Sequence, residues 1–341
     1  MQQLTAASPP FSASCASPWG HNPWVLHEFS VPDDAVGERL DVWLESQLEG
    51  CTRSLIARLI KDGRCSVIGG SPKAGYFLRG EEKVAIEVPD LEPMVIEAED
   101  IPLAVLHEDE EIIVIDKPAG MVVHPAVGNP RGTLVNALLG RYGKRLASGE
   151  AWRPGLVHRL DAFTSGVILV ARTASALVFL QEAFKTRDVQ KRYLALCAGR
   201  PRADFMECSK WIGRHHADIR KRAAHDPDTL GAKEAYTSFV VLERHDGYSA
   251  VEARPRTGRT HQIRVHLSAL GHAVLADAVY GRSGQWPLTA PIEDADALRR
   301  QGLHAWTLDV PHPSGGRRQF MAPIPPDIQR FVAPGLAPRP R

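Results

Sequence analysis

One aspartate stands where a carboxylate can be held firmly and still react. In "GLVHRLDAFTSGVILVAR", residues 155–172, the apolar Leu156, Val157 and Leu160 deliver Asp161 to a turn of Ala162, Phe163, Thr164, Ser165 and Gly166. A buried-strand pattern follows, and a carboxylate on a loop fixed at both ends can act as a nucleophile or accept a proton. The plain alternative is a turn aspartate that accepts hydrogen bonds from its own backbone. Three other segments bear on the choice. "EARPRTGRTHQIRVHLSALGH", residues 252–272, strings Arg254, Arg256, Arg259 and Arg264 around a turn and onto a helical stripe of Ile263, Leu267 and Leu270. Such guanidinium groups can meet phosphates. "DKPAGMVVHP", residues 116–125, places Lys117 at the end of an apolar run before a Pro/Gly turn, and "KRYLAL", residues 191–196, starts a strand pattern with Tyr193 behind two bases. An aromatic beside positive charge suits a nucleobase, although Tyr193 alone could simply pack on a sheet and Arg264 alone could line a helix surface.

His158, His261, His266 and His272 raise a metal reading. His261 and His266 are five apart and fall on different helix faces, unlike the i, i+4 pair of a zinc-binding helix, so no metal is expected. A glycoside- or nucleoside-hydrolase reading needs a second catalytic carboxylate, and the segments around Asp161 supply arginines instead.

The elements that must position these groups alternate irregularly. Runs Glu111–Ile115, Gly166–Arg172, Tyr193–Ala198, Ala235–Leu242 and Tyr248–Arg254 are rich in β-branched and aromatic residues and short enough for strands. Thr133–Arg141, Ala174–Thr186 and Thr260–Leu270 have helical periodicity. The last two strand runs meet across His245, Asp246 and Gly247, a hairpin signal. Without strict alternation the class is α+β, with a mixed, mostly antiparallel sheet flanked by helices over residues 104–326.

A smaller unit precedes it, over residues 37–90. Leu40, Trp43, Leu44 and Leu48 form one helical stripe; Leu55, Ile56, Leu59 and Ile60 form a second, with Thr52 as a candidate N-cap and Gly63 as its stop. Short β-like runs, Cys65–Ile68 and Val84–Val88, follow. Arg53, Arg58, Lys61 and Arg64 fall off the apolar stripe, which is either an ordinary solvated face or a docking face. The acidic stretch 91–103 reads as a linker, residues 1–36 as a flexible leader and residues 327–341 as a Pro-rich tail.

Composition bounds the function. The chain has 341 residues and a formal net charge of +1, from 41 Lys+Arg and 40 Asp+Glu. That total excludes an indiscriminate cationic coat for nucleic acid but not a local basic face. Between Glu81 and Asp116 there are thirteen acidic residues and one base, whereas Arg53–Arg64 and Val251–Arg264 each hold four bases and one acid. No apolar run approaches the roughly 20 residues of a membrane span. The first 30 residues lack the basic start of a secretory signal, and five cysteines without a C-x-x-C pair suit reduced thiols, so a cytoplasmic protein is expected.

Taken together, the ordered segments resemble the RNA pseudouridine synthases of ribosomal and transfer RNA, in the RluA branch. The likeness spans about Gly37 to Ala322 and includes "LHAWTLDVPHP", residues 303–313. "GERLDVWLESQLEGCTRSLIARLIKDGRCSVIGG", with the later "RGEEKVAIEVP", resembles the S4 RNA-binding domain, which some members of that branch carry. The resemblance implies a monomeric enzyme that flips a uridine out of structured RNA, most naturally large-subunit ribosomal RNA, with no cofactor, nucleotide or metal. It implies Asp161 as the essential aspartate, Arg264 as its partner and Tyr193 as the ring that stacks on the base and takes the C5 proton. Arg159 would approach the RNA backbone or the vacated stack; Lys117, Arg256, Arg259, Arg53, Arg58 and Lys61 would contact RNA. Four features depart from the pattern. Ala162 and Phe163 replace charged residues after the aspartate, Ala273 and Ala276 replace Pro and Gly after "GH", Ile68 replaces Asn, and Glu81 replaces Asp. An RNA-binding or assembly factor without turnover is the competing expectation.

Overall fold

The structure is a computed structural model. It describes residues 24–48, 51, 53–68, 70–73, 75–89, 96–125, 129–143, 146, 154–218, 221–281 and 298–339. The chain divides into two units, Met1–Val95 and Ile96–Arg341.

The first unit contains β1 (Trp24–Ser30), α1 (Leu40–Gln47), α2 (Arg53–Lys61), β2 (Cys65–Val67) and β3 (Lys83–Pro89). Its sheet has the order β1-β3-β2 and is antiparallel throughout. Val84, Ile86 and Val88 alternate inward along β3 and pack with Leu40, Trp43 and Leu44 of α1 and Ile56, Leu59 and Ile60 of α2. The period-2 and period-3.6 patterns thus share one core. The expected leader is too long: residues 24–30 pair with β3 along its length, and Val31 and Ala35 are buried in the same core. Thr52 lies outside the described residues.

The second unit is built on a nine-stranded sheet among the described residues. Its strands are β4 (Ala104–Glu108), β5 (Ile112–Lys117), β6 (Ser165–Ala171), β7 (Gln190–Ala198), β8 (Phe205–Cys208), β11 (Thr237–Arg244), β12 (Tyr248–Pro255), β13 (Leu303–Pro311) and β14 (Arg317–Met321). A separate hairpin pairs β9 (Trp211–Arg214) with β10 (Arg222–His225). The main order is β4-β5-β6-β13-β7-β12-β11-β8, with β14 beside β13. Only the join of β6 to β13 is parallel among these pairings, so the sheet is mixed and mostly antiparallel. The helices are α3 (Leu134–Tyr142), α4 (Ala174–Lys185), α5 (Gln262–Ala269) and the short α6 (Pro326–Gln329). Thr133 caps α3 by accepting from Asn136 N, and Thr173 caps α4 by accepting from Ala176 N. No helix among the described residues is long and apolar enough to cross a membrane.

Two boundary expectations change. Residues 96–103 belong to the second unit: Glu99 N donates to Asn136 O at 3.0 Å and Asn136 Nδ2 donates to Glu97 O at 2.8 Å. Residues 90–95 lie outside the described set. The Pro-rich C-terminal segment is no loose tail, because Ile328, Phe331 and Val332 are buried with Leu194, Leu196 and Trp306. Arg339 N also donates to Glu252 Oε2 at 3.0 Å. Proline there fixes the path of a packed segment.

Candidate active site

The register of four strands gathers the site at one end of the sheet. Gly166 of β6 lies opposite Ala305 of β13, Ala305 opposite Tyr193 of β7, and Tyr193 opposite Ala253 of β12. The Asp161 turn leads into β6 at that level, and β12 runs out into the arginine-rich turn before α5. Gly166 makes the join possible. It sits at φ +110°, and a Cβ there would lie 2.1 Å from Ala305 O. Only glycine fits so close a backbone approach.

Asp161 lies in a cleft with Arg159, Tyr193, Lys191, Arg259 and Arg264 on its walls. Arg264 Nη1 donates to Asp161 Oδ2 at 2.8 Å, and Oδ1 has no hydrogen-bond donor among the described residues. The arginine is almost wholly buried, with 6% of its side chain exposed, against 20% for Asp161. A second carboxylate, Asp277, grips the rest of the guanidinium: Nε donates to Oδ2 at 2.6 Å and Nη2 to Oδ1 at 2.8 Å. Burial pulls the Arg264 pKa down, but the hydrogen bonds and charges of Asp277 and Asp161 override it and leave it raised. Burial pushes the Asp277 carboxyl up, and Arg264 with the Val279 and Tyr280 amides brings it below the usual range. Asp277 is not an accessible second catalytic carboxylate. It is fully buried behind the arginine.

His261 completes the wall. It enters α5 from the left-handed region at φ +60°, and its Nε2 is 3.9 Å from Asp161 Oδ2. Its Nδ1 is 2.8 Å from the Tyr280 hydroxyl, which accepts from Arg222 N and so has its proton for His261. Burial lowers the His261 pKa more than the Asp161 charge raises it, so the ring is held towards its neutral form. Gln262 braces the arginine turn: its Oε1 accepts from Thr257 Oγ1 and Arg259 N, and its Nε2 donates to Tyr236 O. Tyr193 has no hydrogen-bond partner for its hydroxyl among the described residues, and burial, then the Asp161 charge, raises its pKa.

Of the sequence-nominated residues, Asp161, Tyr193, Arg264, Arg159 and Arg259 meet in this cleft and the others do not. Arg159 is exposed at its rim, and Arg259 lines it while donating from Nε to Glu234 O at 2.9 Å. Arg256 is exposed outside the lining, with its guanidinium 5.5 Å from the Tyr236 ring. Lys117 requires a correction. It is fully buried, and its ammonium donates to Pro118 O, Met121 O and Ala162 O at 2.8, 2.9 and 2.9 Å. Burial and the Arg300 charge bring its pKa down to about 7, yet all three protons are used on carbonyls. It holds the Asp161 turn and does not reach RNA. In the first unit Arg53, Arg58 and Lys61 are all exposed on α2; Arg53 is paired with the buried Asp41 at 2.8 Å and Arg58 with the exposed Asp62 at 3.6 Å.

Sequence reasoning missed Asp277, Lys191, Gln262 and Arg300. Lys191 lines the cleft, donates to Thr257 O at 3.2 Å, and has its pKa brought down to about 8 by burial and then Arg259. Its place beside Tyr193 in "KRY" was the available signal; Asp277 gave none, because its partner lies thirteen positions away on a helix.

The mixed sheet thus presents a carboxylate, a buried arginine and an aromatic side chain in one cleft. A family model described as RNA pseudouridylate synthase matches residues 111–269. The ribosomal large subunit pseudouridine synthase D of Xanthomonas campestris is 41% identical over 313 residues, covering 90% of this chain and 92% of that one. The enzyme of the same name from Vibrio parahaemolyticus is 38% identical over 304 residues, covering 88% and 91%. Among solved structures, human RNA Pseudouridylate Synthase Domain Containing 1 superposes with a TM-score of 0.53 at 28% identity, covering 68% of this chain and 89% of that one. The chain belongs to the RluA-type RNA pseudouridine synthase family, closely related to its ribosomal large subunit pseudouridine synthase D members.

Proposed function

We propose that this synthase isomerises uridine in large-subunit ribosomal RNA, with Asp161 as the reacting carboxylate. The observation that carries the role is the Asp161–Arg264 contact: Oδ2 is tied at 2.8 Å while Oδ1 is left without a donor in the cleft. The target is supported by the names of the relatives that align with nearly all of this chain. In the reaction the bond from ribose C1′ to uracil N1 breaks, the base turns, and C1′ joins C5. The proton lost from C5 is balanced by one gained at N1, so no oxidant or co-substrate is consumed. A uridine within a helix cannot offer C1′ to a protein side chain, so the base must be flipped into the cleft. Asp161 assists departure of the base, Arg264 holds its carboxylate in place, and Tyr193 stacks on the uracil, its protonated hydroxyl relaying the C5 proton by giving its own proton to water as it takes that one.

The first unit is the RNA-docking module, of S4 type, on the strength of its helix pair with Arg58 and Lys61 exposed on one helix. The protein acts as a monomer in the cytoplasm; the buried, unpaired Cys51, Cys65, Cys197 and Cys208 suit a reducing compartment. Nucleoside analysis of large-subunit RNA incubated with the protein tests the activity. Pseudouridine should form with the native chain, and Asp161→Ala should abolish it while RNA affinity is kept. Active-site titration giving no pseudouridine on any ribosomal RNA would sink the reading.

A further inference from the structure

Phe163 is 57% exposed, two residues from the reacting carboxylate. Single exposed apolar residues are common and need no explanation. What separates Phe163 from them is the rigidity of its backbone. Ala162 O accepts from Lys117 Nζ at 2.9 Å and from Gly120 N at 2.9 Å. Phe163 O accepts from Arg300 Nη1 at 3.1 Å. Thr164 Oγ1 accepts from Gln301 Nε2 at 2.7 Å, and Thr164 N closes the turn on Asp161 O at 3.0 Å. Arg300 is itself nearly buried and fixed by Asp327, with Nε and Nη2 donating at 2.7 and 2.9 Å. Two buried cations therefore clamp consecutive carbonyls, and the ring between them is left in solvent.

Phe163 is not part of the cleft wall, so it does not serve the flipped base. It is exposed two positions from Asp161 in the same hydrogen-bonded turn, and Arg159, two positions to the other side, is an exposed part of the cleft lining. When a uridine occupies the cleft, the nucleotides joined to it must pass over the surface around this turn. We propose that Phe163 is a specificity-determining residue, whose ring stacks on a nucleobase flanking the target uridine; this rests on the isomerase reading above. A ring held on a pinned backbone stacks with little loss of freedom, and base–aromatic stacking tolerates any base while favouring purines by area. The neighbouring arginine supplies the phosphate contact that stacking lacks.

The test compares Phe163→Leu and Phe163→Trp in the full chain, each also in an Asp161→Asn background. The probe is a large-subunit ribosomal RNA transcript at fixed salt. Stacking predicts that Phe163→Leu weakens binding and raises KM about tenfold or more, within the known range for one stacked base. It leaves kcat within about twofold, and Phe163→Trp restores both. Native-like binding by Phe163→Leu, or equal weakening by Leu and Trp, would overturn the proposal. Should the native chain make no pseudouridine, the isomerase reading falls, while the binding series in the Asp161→Asn background still decides whether the ring stacks on RNA.

Discussion

Arg264 gives one N–H to Asp161 and two to Asp277, at 2.8 Å for the first and 2.6 and 2.8 Å for the pair. The guanidinium is aimed by the buried carboxylate of Asp277. Asp277→Asn keeps the shape but can accept only through one oxygen, so Arg264 loses its two-point anchor. Turnover should fall about 100-fold, the scale of a displacement near 1 Å in a catalytic group, with KM for RNA little changed. Removing half of a buried pair should also cost about 3–5 kcal/mol of stability. Steady-state kinetics with denaturant unfolding of the same variant checks both.

Gly166→Ala should separate β6 from β13. The new methyl would meet Ala305 O at 2.1 Å on a backbone at φ +110°. A loss of more than about 2 kcal/mol is expected in denaturant unfolding. A variant of native stability would show that this join can relax.

Acid should weaken the second unit through Asp109. His107 and His312 reach its Oδ2 at 2.7 and 3.1 Å, and the Glu111 and Ile112 amides donate to Oδ1. Burial pushes this carboxyl up, and those partners outweigh it to bring the pKa to about 2. A folded value below the unfolded one means stability that is complete above about pH 4 and lost as pH falls through about 2. Asp109→Asn should be less stable at neutral pH and lose less between those limits, as read by circular dichroism across an acid series.

RNA affinity should fall steeply with salt, because the exposed cations neutralise phosphates. If α2 docks on RNA, Arg58→Ala with Lys61→Ala should make the slope of log K against log salt shallower by about 1.4–1.8. Arg53→Ala should act mainly on stability, since that residue is bound to Asp41. An unchanged slope in the double variant would remove α2 from the interface.

The residues that touch the cleft were largely legible in sequence, because a strand end, a turn and a helix start each declare themselves locally. The five strand runs and three helical stripes correspond to β5, β6, β7, β11, β12, α3, α4 and α5. β13 was not legible as a strand: its residues Leu303–Val310 are all buried, so His304, Thr307 and Asp309 break the apolar run without marking an outer face. β1 and the C-terminal segment were misread because Pro, Ser and charged residues disguise chains whose partners are distant in sequence. Three of the departures from the family pattern share a backbone cause. Ile68, Glu81 and Ala276 stand at φ +50°, +52° and +53°. Asn, Asp and Gly accept that left-handed region more readily, which costs other residues about 1–2 kcal/mol. Lys117 was misassigned because a lysine before a turn looks like a ligand until its burial is known.

The hydrogen bond from Arg300 to Phe163 O has a temporal meaning. Arg300 is oriented by Asp327, so the turn that bears Asp161 is finished by a segment synthesised long after it. During translation the carboxylate and its arginine could already be present while the turn still lacked one of its two clamps. A chain that stops short of Asp327 would therefore lack the anchor that aims Arg300, and with it one of the two side chains that hold the turn.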